Sequence, residues 1–140
     1  DIQRRAPIVA SELKPKQRQE LSDQLVERRR ELRELVREEL ERGQTETHAE
    51  LAGRVHDAED EALADMLVDA QLSGLERHVQ ELRHIEGALQ RISNGTYGVC
   101  IDCGTPIDVE RLRPWPTAER CIDCQEQFER THDTSGHNTL

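Results

Sequence analysis

Four cysteines near the C-terminal end of this 140-residue chain are the residues whose types and spacing best fit a chemical site. They form two Cys-x-x-Cys pairs, Cys100 with Cys103 and Cys121 with Cys124, and 17 residues separate the pairs. This spacing is typical of zinc sites in which each pair supplies two thiolates to one tetrahedral ion. Four protein ligands leave no coordination position open for a substrate. We therefore predict one structural Zn²⁺ ion held by these four cysteines.

The formal charge of −10 restricts what the chain can bind. An acidic protein repels the phosphates of nucleic acids, so we do not expect sequence-specific DNA binding. No apolar run approaches the roughly 20 residues of a membrane span, and no signal peptide is recognisable. We expect a cytoplasmic protein, where structural disulfides are rare, and this favours metal over the alternatives of two redox disulfides or an iron–sulfur cluster. The sequence carries no open metal site, nucleophile–base pair or phosphate-binding glycine loop, so we do not expect an enzyme.

Two long segments have the periodicity of amphipathic helices. The first runs from Pro15 to Arg42, and the second runs from about Asp60 to Ser93. The apolar positions are Leu21, Leu25, Leu32, Leu35, Val36 and Leu40 in the first, and Leu63, Met66, Leu67, Ala70, Leu75, Val79, Leu82, Ile85, Leu89 and Ile92 in the second. Neither helix can bury its stripe alone. We predict an all-α fold in which they form a long antiparallel coiled-coil hairpin within a monomer, with pairing between chains as the alternative.

The predicted organisation has four parts. Residues 1–14 form a flexible N-terminal leader, and residues 15–93 form the hairpin, with an acidic tip near 44–62. Residues 94–131 form a small globular zinc-finger lobe with four cysteine ligands and a C-terminal helix, and residues 132–140 form a disordered tail. We expect the C-terminal helix to begin near Thr117 and to hold Cys121 and Cys124 in its first turn, where the helix dipole favours thiolates.

The acidic tip has two interpretations. Between Glu46 and Asp69 the chain has eight acidic residues and one arginine. In the structural interpretation, Asp57 caps the N-terminus of the second helix and Asp60 lies in its first turn, both favoured by the helix dipole. In the functional interpretation, the hairpin presents these carboxylates to a metal ion or to a basic groove.

Motifs at both ends of the chain resemble those of the DksA/TraR family of bacterial transcription regulators, from about residue 15 to 131. The zinc-finger segment GTYGVCIDCGTPIDVERLRPWPTAERCIDCQ and the preceding ALQRI resemble the family's C-terminal half. The family's Asp-x-x-Asp-x-Ala motif falls on Asp57, Asp60 and Ala62. Arg77 matches a family arginine that touches the polymerase.

This resemblance implies a regulator that binds bacterial RNA polymerase rather than DNA. Family members insert the hairpin into the secondary channel of the polymerase and destabilise or remodel promoter complexes, with the two aspartates and the alanine at the contact. Some members also help to bind the alarmone ppGpp, but His84, Trp115 and Gln125 stand where the family carries basic residues. The resemblance therefore implies little dependence on ppGpp. A zinc-thiolate redox sensor and a coiled-coil adaptor for another protein are the alternative functions.

Overall fold

The computed structural model describes residues 11–43, 46–70 and 75–136. The helices are α1 (Pro15–Arg42), α2 (Glu46–Asp57), α3 (Asp60–Ala70), α4 (Glu76–Asn94), α5 (Val109–Leu112) and α6 (Ile122–Gly136). The chain divides into two compact units: residues 23–87, called the arm unit, and the described residues up to 22 together with 88–136, called the lobe unit. The described helices include none long and apolar enough to cross a membrane. The all-α prediction is confirmed.

Helix α1 has the predicted bounds, and local interactions explain them. Pro15 fits the first helical position, where a backbone N–H is not needed. The backbone N–H of Lys14 donates to the side chain of Gln17 over 2.9 Å, which is half of a capping box. At the other end, the N–H of Gly43 donates to the carbonyl of Leu40 and closes the last turn. Local sequence therefore determines where this helix begins and ends.

The arm unit buries one face of each of its helices. Leu35 is an exception in α1, because it is 39% exposed although it belongs to the predicted apolar stripe. Its neighbour Val36 is fully buried, so the buried face of α1 is centred on Val36 rather than on Leu35. The buried residues of this unit are Leu25, Leu32, Val36, Leu40, Leu51, Ala52, Val55, Leu63, Ala64, Leu67, Leu75, Val79, Leu82 and Ile85.

The segment predicted as the acidic tip of the hairpin contains α2. Its twelve residues include buried Leu51, Ala52 and Val55, whose spacing is that of a helix face. Gly53 lies inside this helix and does not interrupt it. A glycine inside a helix costs only about 1 kcal/mol relative to alanine, so α2 tolerates Gly53.

The second predicted helix is not one straight arm alongside α1. Arg28 of α1 pairs with Glu81, and Arg33 pairs with Asp60. The two arginines are five residues apart, which is about 8 Å along a helix, whereas their partners are 21 residues apart, or about 32 Å in one straight helix. Helices α3 and α4 therefore do not run along α1 as a continuous rod. The predicted helical residues 71–74 lie outside the described residues.

The lobe unit contains more of the chain than predicted. Leu13, assigned to the flexible leader, is only 7% exposed, so ordered packing begins before Pro15. Helix α6 begins at Ile122 rather than near Thr117, because the backbone around Ala118 and Glu119 bonds to Trp115 and to Ile101 instead of forming a helical turn. The same helix continues to Gly136, through part of the predicted tail. Residues 1–10 and 137–140 lie outside the described residues.

Candidate metal centre and acidic residues

The four predicted ligands form one cluster. The sulfur atoms of Cys100, Cys103, Cys121 and Cys124 all lie within 4.8 Å of one another, and the Sγ atoms of Cys103 and Cys121 are 3.8 Å apart. A tetrahedral ion with Zn–S bonds of about 2.3 Å requires sulfur–sulfur distances of about 3.8 Å. The donor set and its geometry therefore fit one zinc ion, which these four residues would hold in a closed site.

Backbone hydrogen bonds and a glycine shape the Cys-x-x-Cys turns. Gly104 has φ of +78°, a conformation that glycine adopts without strain, and its N–H donates to the carbonyl of Cys100 over 3.0 Å. The N–H of Ile101 donates to the carbonyl of Glu119 over 2.9 Å and joins the first cysteine pair to the segment before the second. Cys121 immediately precedes α6, and Cys124 lies in its first turn. The prediction that both lie in that turn is therefore correct only for Cys124.

The thiols ionise to different extents in the metal-free chain. Burial opposes ionisation of Cys100, but backbone N–H groups, led by that of Cys103, lower its pKa to about 6. A hydrogen bond from the Thr105 hydroxyl lowers the pKa of Cys103. The neighbouring sulfur of Cys121 is the main cause that raises the pKa of Cys124. Four adjacent thiolates repel one another, so a divalent cation is what allows all of them to be ionised together.

Arg120 connects the first Cys-x-x-Cys turn to α6. Its Nε donates to Asp102 over 2.8 Å, and its guanidinium lies over the ring of Phe128 at 4.0 Å. Arg111 donates to the carbonyl of Arg120 over 3.1 Å. Asp102 belongs to the first cysteine turn and Phe128 to α6, so these contacts fix the position of α6 against that turn.

The acidic motif lies at the junction of α2 and α3 within the arm unit. Asp57 is the last residue of α2, and Asp60 is the first residue of α3. The carboxylate of Asp57 is 85% exposed, and that of Asp60 is 44% exposed. Ala62 is also exposed. The capping prediction is wrong for Asp57, which lies at a helix C-terminus, whereas Asp60 does lie in a first helical turn as predicted.

Two arginines that sequence reasoning missed bind Asp60. Arg33 Nη2 lies 2.6 Å from one carboxylate oxygen, and Arg29 Nη2 lies 3.2 Å from the other. Both arginine side chains are only 17% exposed. The spacing of these arginines could have indicated their role. Positions 29 and 33 are four residues apart and lie beside the apolar positions Leu25, Leu32 and Val36. They therefore border the apolar stripe of α1 rather than its solvated face.

The other positions that the family resemblance singles out are one expected polymerase contact and three positions where the family carries basic residues. Arg77 is exposed in α4, and His84 is exposed further along the same helix. Trp115 is 40% exposed, with the guanidinium of Arg111 4.7 Å from its ring centre. The amide of Gln125 donates to Glu129 over 2.8 Å.

Comparison with known proteins identifies the family. Residues 95–130 match the prokaryotic DksA/TraR C4-type zinc finger. The chain is 37% identical over 87 residues to the RNA polymerase-binding transcription factor DksA of Caulobacter vibrioides, covering 62% of this chain and 56% of that protein. It is 31% identical over 97 residues to the protein of the same name in Escherichia coli K12, covering 69% of this chain and 64% of that protein. The chain thus spans less than two thirds of these relatives' length.

A solved structure agrees in fold. Transcription factor DksA2 from Pseudomonas aeruginosa aligns with a TM-score of 0.56 and 32% sequence identity, covering 84% of this chain and 86% of that chain. A likeness over 84% of the chain extends well beyond the 36 residues of the zinc-finger match. Together with the cysteine geometry, these likenesses show that the chain belongs to the DksA/TraR family.

Proposed function

We propose that this chain is a transcription regulator that binds bacterial RNA polymerase through its secondary channel and changes the lifetime of promoter open complexes. The observation that carries the proposal is the likeness, over most of the chain, to DksA proteins, whose curated members are named RNA polymerase-binding transcription factors. In this proposal the chain acts in the cytoplasm as a regulator and not as an enzyme. The zinc site has a structural role, because four cysteine ligands leave no open position.

The charge distribution supports contact with a protein rather than with DNA. The net charge is −10, and the exposed carboxylate of Asp57 is available to a basic groove. Ala62 is exposed and small, which allows close approach of a partner. We propose that the α2–α3 junction, which carries Asp57, Asp60 and Ala62, is the acidic region that meets the polymerase, and that Arg77 makes a further contact from α4.

Regulation by ppGpp is not part of this proposal. A polyphosphate is bound by arginine or lysine side chains, which provide charge-assisted hydrogen bonds. His84, Trp115 and Gln125 stand where the family resemblance places basic residues. We therefore expect the effect on polymerase to be nearly the same with and without the alarmone.

The test is the lifetime of open complexes on a ribosomal-RNA promoter with purified bacterial RNA polymerase. We expect the chain to shorten this lifetime severalfold, and Asp57→Asn to lose most of the effect. Asp65→Asn is the matched control, because Asp65 is an exposed acidic residue of α3 outside the motif. Equal activity of Asp57→Asn and Asp65→Asn would contradict the role of Asp57. An unchanged lifetime with wild-type chain bound to polymerase would contradict the proposed function.

A further inference from the structure

The junction between α2 and α3 is held by one side chain from α1. The guanidinium of Arg33 donates to the carbonyl of Val55 over 2.5 Å and to the carbonyl of Ala58 over 3.0 Å. The same guanidinium donates to Asp60 over 2.6 Å. Arg33 therefore contacts the end of α2, the connection and the start of α3.

These contacts lie at the C-terminus of α2 and the N-terminus of α3, where each is electrostatically favourable. The last carbonyls of α2 have no partner within their own helix, and a cation near a helix C-terminus is favourable. Asp60 is the first residue of α3, where a negative charge is favourable for the same electrostatic reason. Because Arg33 binds the carbonyls and the carboxylate at once, it fixes the direction in which α3 leaves α2.

Asp60 differs from Asp57 because both of its carboxylate oxygens are engaged. Arg33 binds Oδ1 and Arg29 binds Oδ2, and both arginines are largely buried. A basic group of a partner would therefore meet an Asp60 carboxylate whose charge is already balanced by two arginines. Asp57 has no such restriction, since its side chain is 85% exposed and its carboxylate contacts the ring nitrogen Nδ1 of the adjacent His56 at 3.2 Å.

We propose that Asp60 is a positioning residue that acts through Arg33 as a latch on the α2–α3 junction, while Asp57 and Ala62 touch the partner. The two aspartates of the motif thus have different roles: Asp60 fixes the conformation of the junction, and Asp57 contacts the partner. The identity of the partner rests on the proposed function, namely binding to RNA polymerase. The latch itself is a property of the free chain and is tested without polymerase.

The first experiment uses thermal unfolding of the zinc-loaded full chain. Asp60→Asn and Arg33→Gln should each lower Tm by roughly 5 °C, the size expected when a part-buried ion pair of a small domain is broken. The double variant should lose less Tm than the sum of the two single losses, because the contact between Arg33 and Asp60 is removed in both single variants. Arg37→Gln is the matched control. Among the residues that the structure describes, Arg37 pairs with Glu34 and Glu41 of its own helix, and its replacement should change Tm by about 1–2 °C at most. Additive losses in the double variant would overturn the latch.

The second experiment measures affinity for RNA polymerase and separates positioning from direct contact. Arg33→Gln leaves both aspartates of the motif intact. If Asp60 acts through Arg33, Arg33→Gln and Asp60→Asn should weaken binding by a similar factor, about tenfold. If Asp60 itself binds the polymerase, Arg33→Gln removes one of the two cations on its carboxylate and should leave binding unchanged or tighter. That result would overturn the proposal.

A milder variant covers the case in which Arg33→Gln does not fold. Arg29→Gln removes one of the two ion pairs with Asp60 and leaves the carbonyl contacts of Arg33 in place. We expect a smaller loss of Tm and a two- to threefold loss of affinity, while tighter binding would again overturn the latch. If the wild-type chain does not bind polymerase, the proposed function fails, and the unfolding experiments still decide whether the latch exists.

Discussion

Asp57 carries its negative charge at the end of a helix where the helix dipole opposes it. It is the last residue of α2, its carboxylate is 85% exposed, and its neighbour His56 is similarly exposed. A negative charge at this position costs a surface helix about 0.3–1 kcal/mol. A residue that lowers stability slightly and is open to solvent fits a role in binding better than a role in folding.

The first prediction concerns the stability of the Asp57→Asn variant. Removing the charge should raise the free energy of unfolding by up to about 0.5 kcal/mol, because the unfavourable interaction with the C-terminus of α2 is lost. Urea denaturation of the free chain measures this change. Asp60→Asn should have the opposite sign, since it breaks contacts with Arg29 and Arg33. A clear loss of stability in Asp57→Asn would mean that Asp57 has a structural role.

The second prediction concerns Tyr97, the one tyrosine of the chain. Burial raises its pKa to about 12, and its hydroxyl donates to the carbonyl of Pro116 over 2.7 Å. In the unfolded chain the pKa should be about 10. The folded state favours the neutral phenol over the phenolate. The contribution of Tyr97 to the free energy of unfolding is therefore complete below pH about 10, and it is lost as the pH rises through about 12.

Ultraviolet absorbance of tyrosinate measures this titration directly, because no second tyrosine contributes to it. The expected midpoint is about 12 in the folded chain and about 10 in guanidinium chloride. Equal midpoints in the two conditions would show that Tyr97 is not buried in the lobe unit.

At the scale of elements, the turn before the first cysteine packs against residues that precede α1. Gly98 has φ of +85°, and a Cβ added there would lie 2.6 Å from Ser11 Oγ and 3.0 Å from Leu13 Cδ1. The segment around Leu13 therefore packs directly against the backbone of this turn. Gly95 has a similar φ of +82°, but an added Cβ there meets no atom within 4 Å.

This difference gives the third prediction. Gly95→Ala should lower the free energy of unfolding by about 1–2 kcal/mol, the cost of a left-handed conformation for a residue with a Cβ. Gly98→Ala should cost at least about 1 kcal/mol more, because it must also displace Ser11 and Leu13. Chemical denaturation of the two variants measures the difference. Equal losses would mean that the segment before α1 does not pack on the turn.

The elements also explain which features could be predicted from the sequence. The bounds of α1 and the four ligands follow from local patterns, a proline start with a regular apolar stripe and two Cys-x-x-Cys pairs. The division between α2 and α3 does not, because it depends on Arg33 reaching the carbonyls of Val55 and Ala58 from a distant part of the chain. The start of α6 was missed for the same reason, since Ile101 bonds to Glu119 and competes with an earlier helical turn.

At the scale of the molecule, the two units have different sources of stability. The arm unit has a core of leucine, isoleucine and valine from four helices. The lobe unit has a smaller buried set after α4, formed by Tyr97, Ile107, Leu112 and Ala118, besides the cysteine cluster. A structural zinc ion stabilises such a lobe directly, because the ligands are brought together only in the folded state.

The fourth prediction therefore concerns removal of the metal. Chelation should remove hydrogen-exchange protection from residues 97–121 and leave protection in the arm unit, for example around Leu32 and Val36, largely unchanged. Exchange followed by mass spectrometry measures both regions in one experiment, and addition of Zn²⁺ should restore the lobe. Uniform loss of protection, or no loss, would contradict a structural role of zinc confined to this lobe.

The most direct test of polymerase binding is photo-crosslinking from the exposed Ala62. A photoreactive amino acid at position 62 should crosslink to residues that line the secondary channel of RNA polymerase, and an excess of unmodified chain should abolish the crosslink. The same amino acid at Glu126, on the exposed surface of α6, is the control position. The proposed function predicts a channel-specific crosslink from position 62. It is contradicted if position 62 crosslinks only outside the channel, or no more strongly than in the presence of excess competitor.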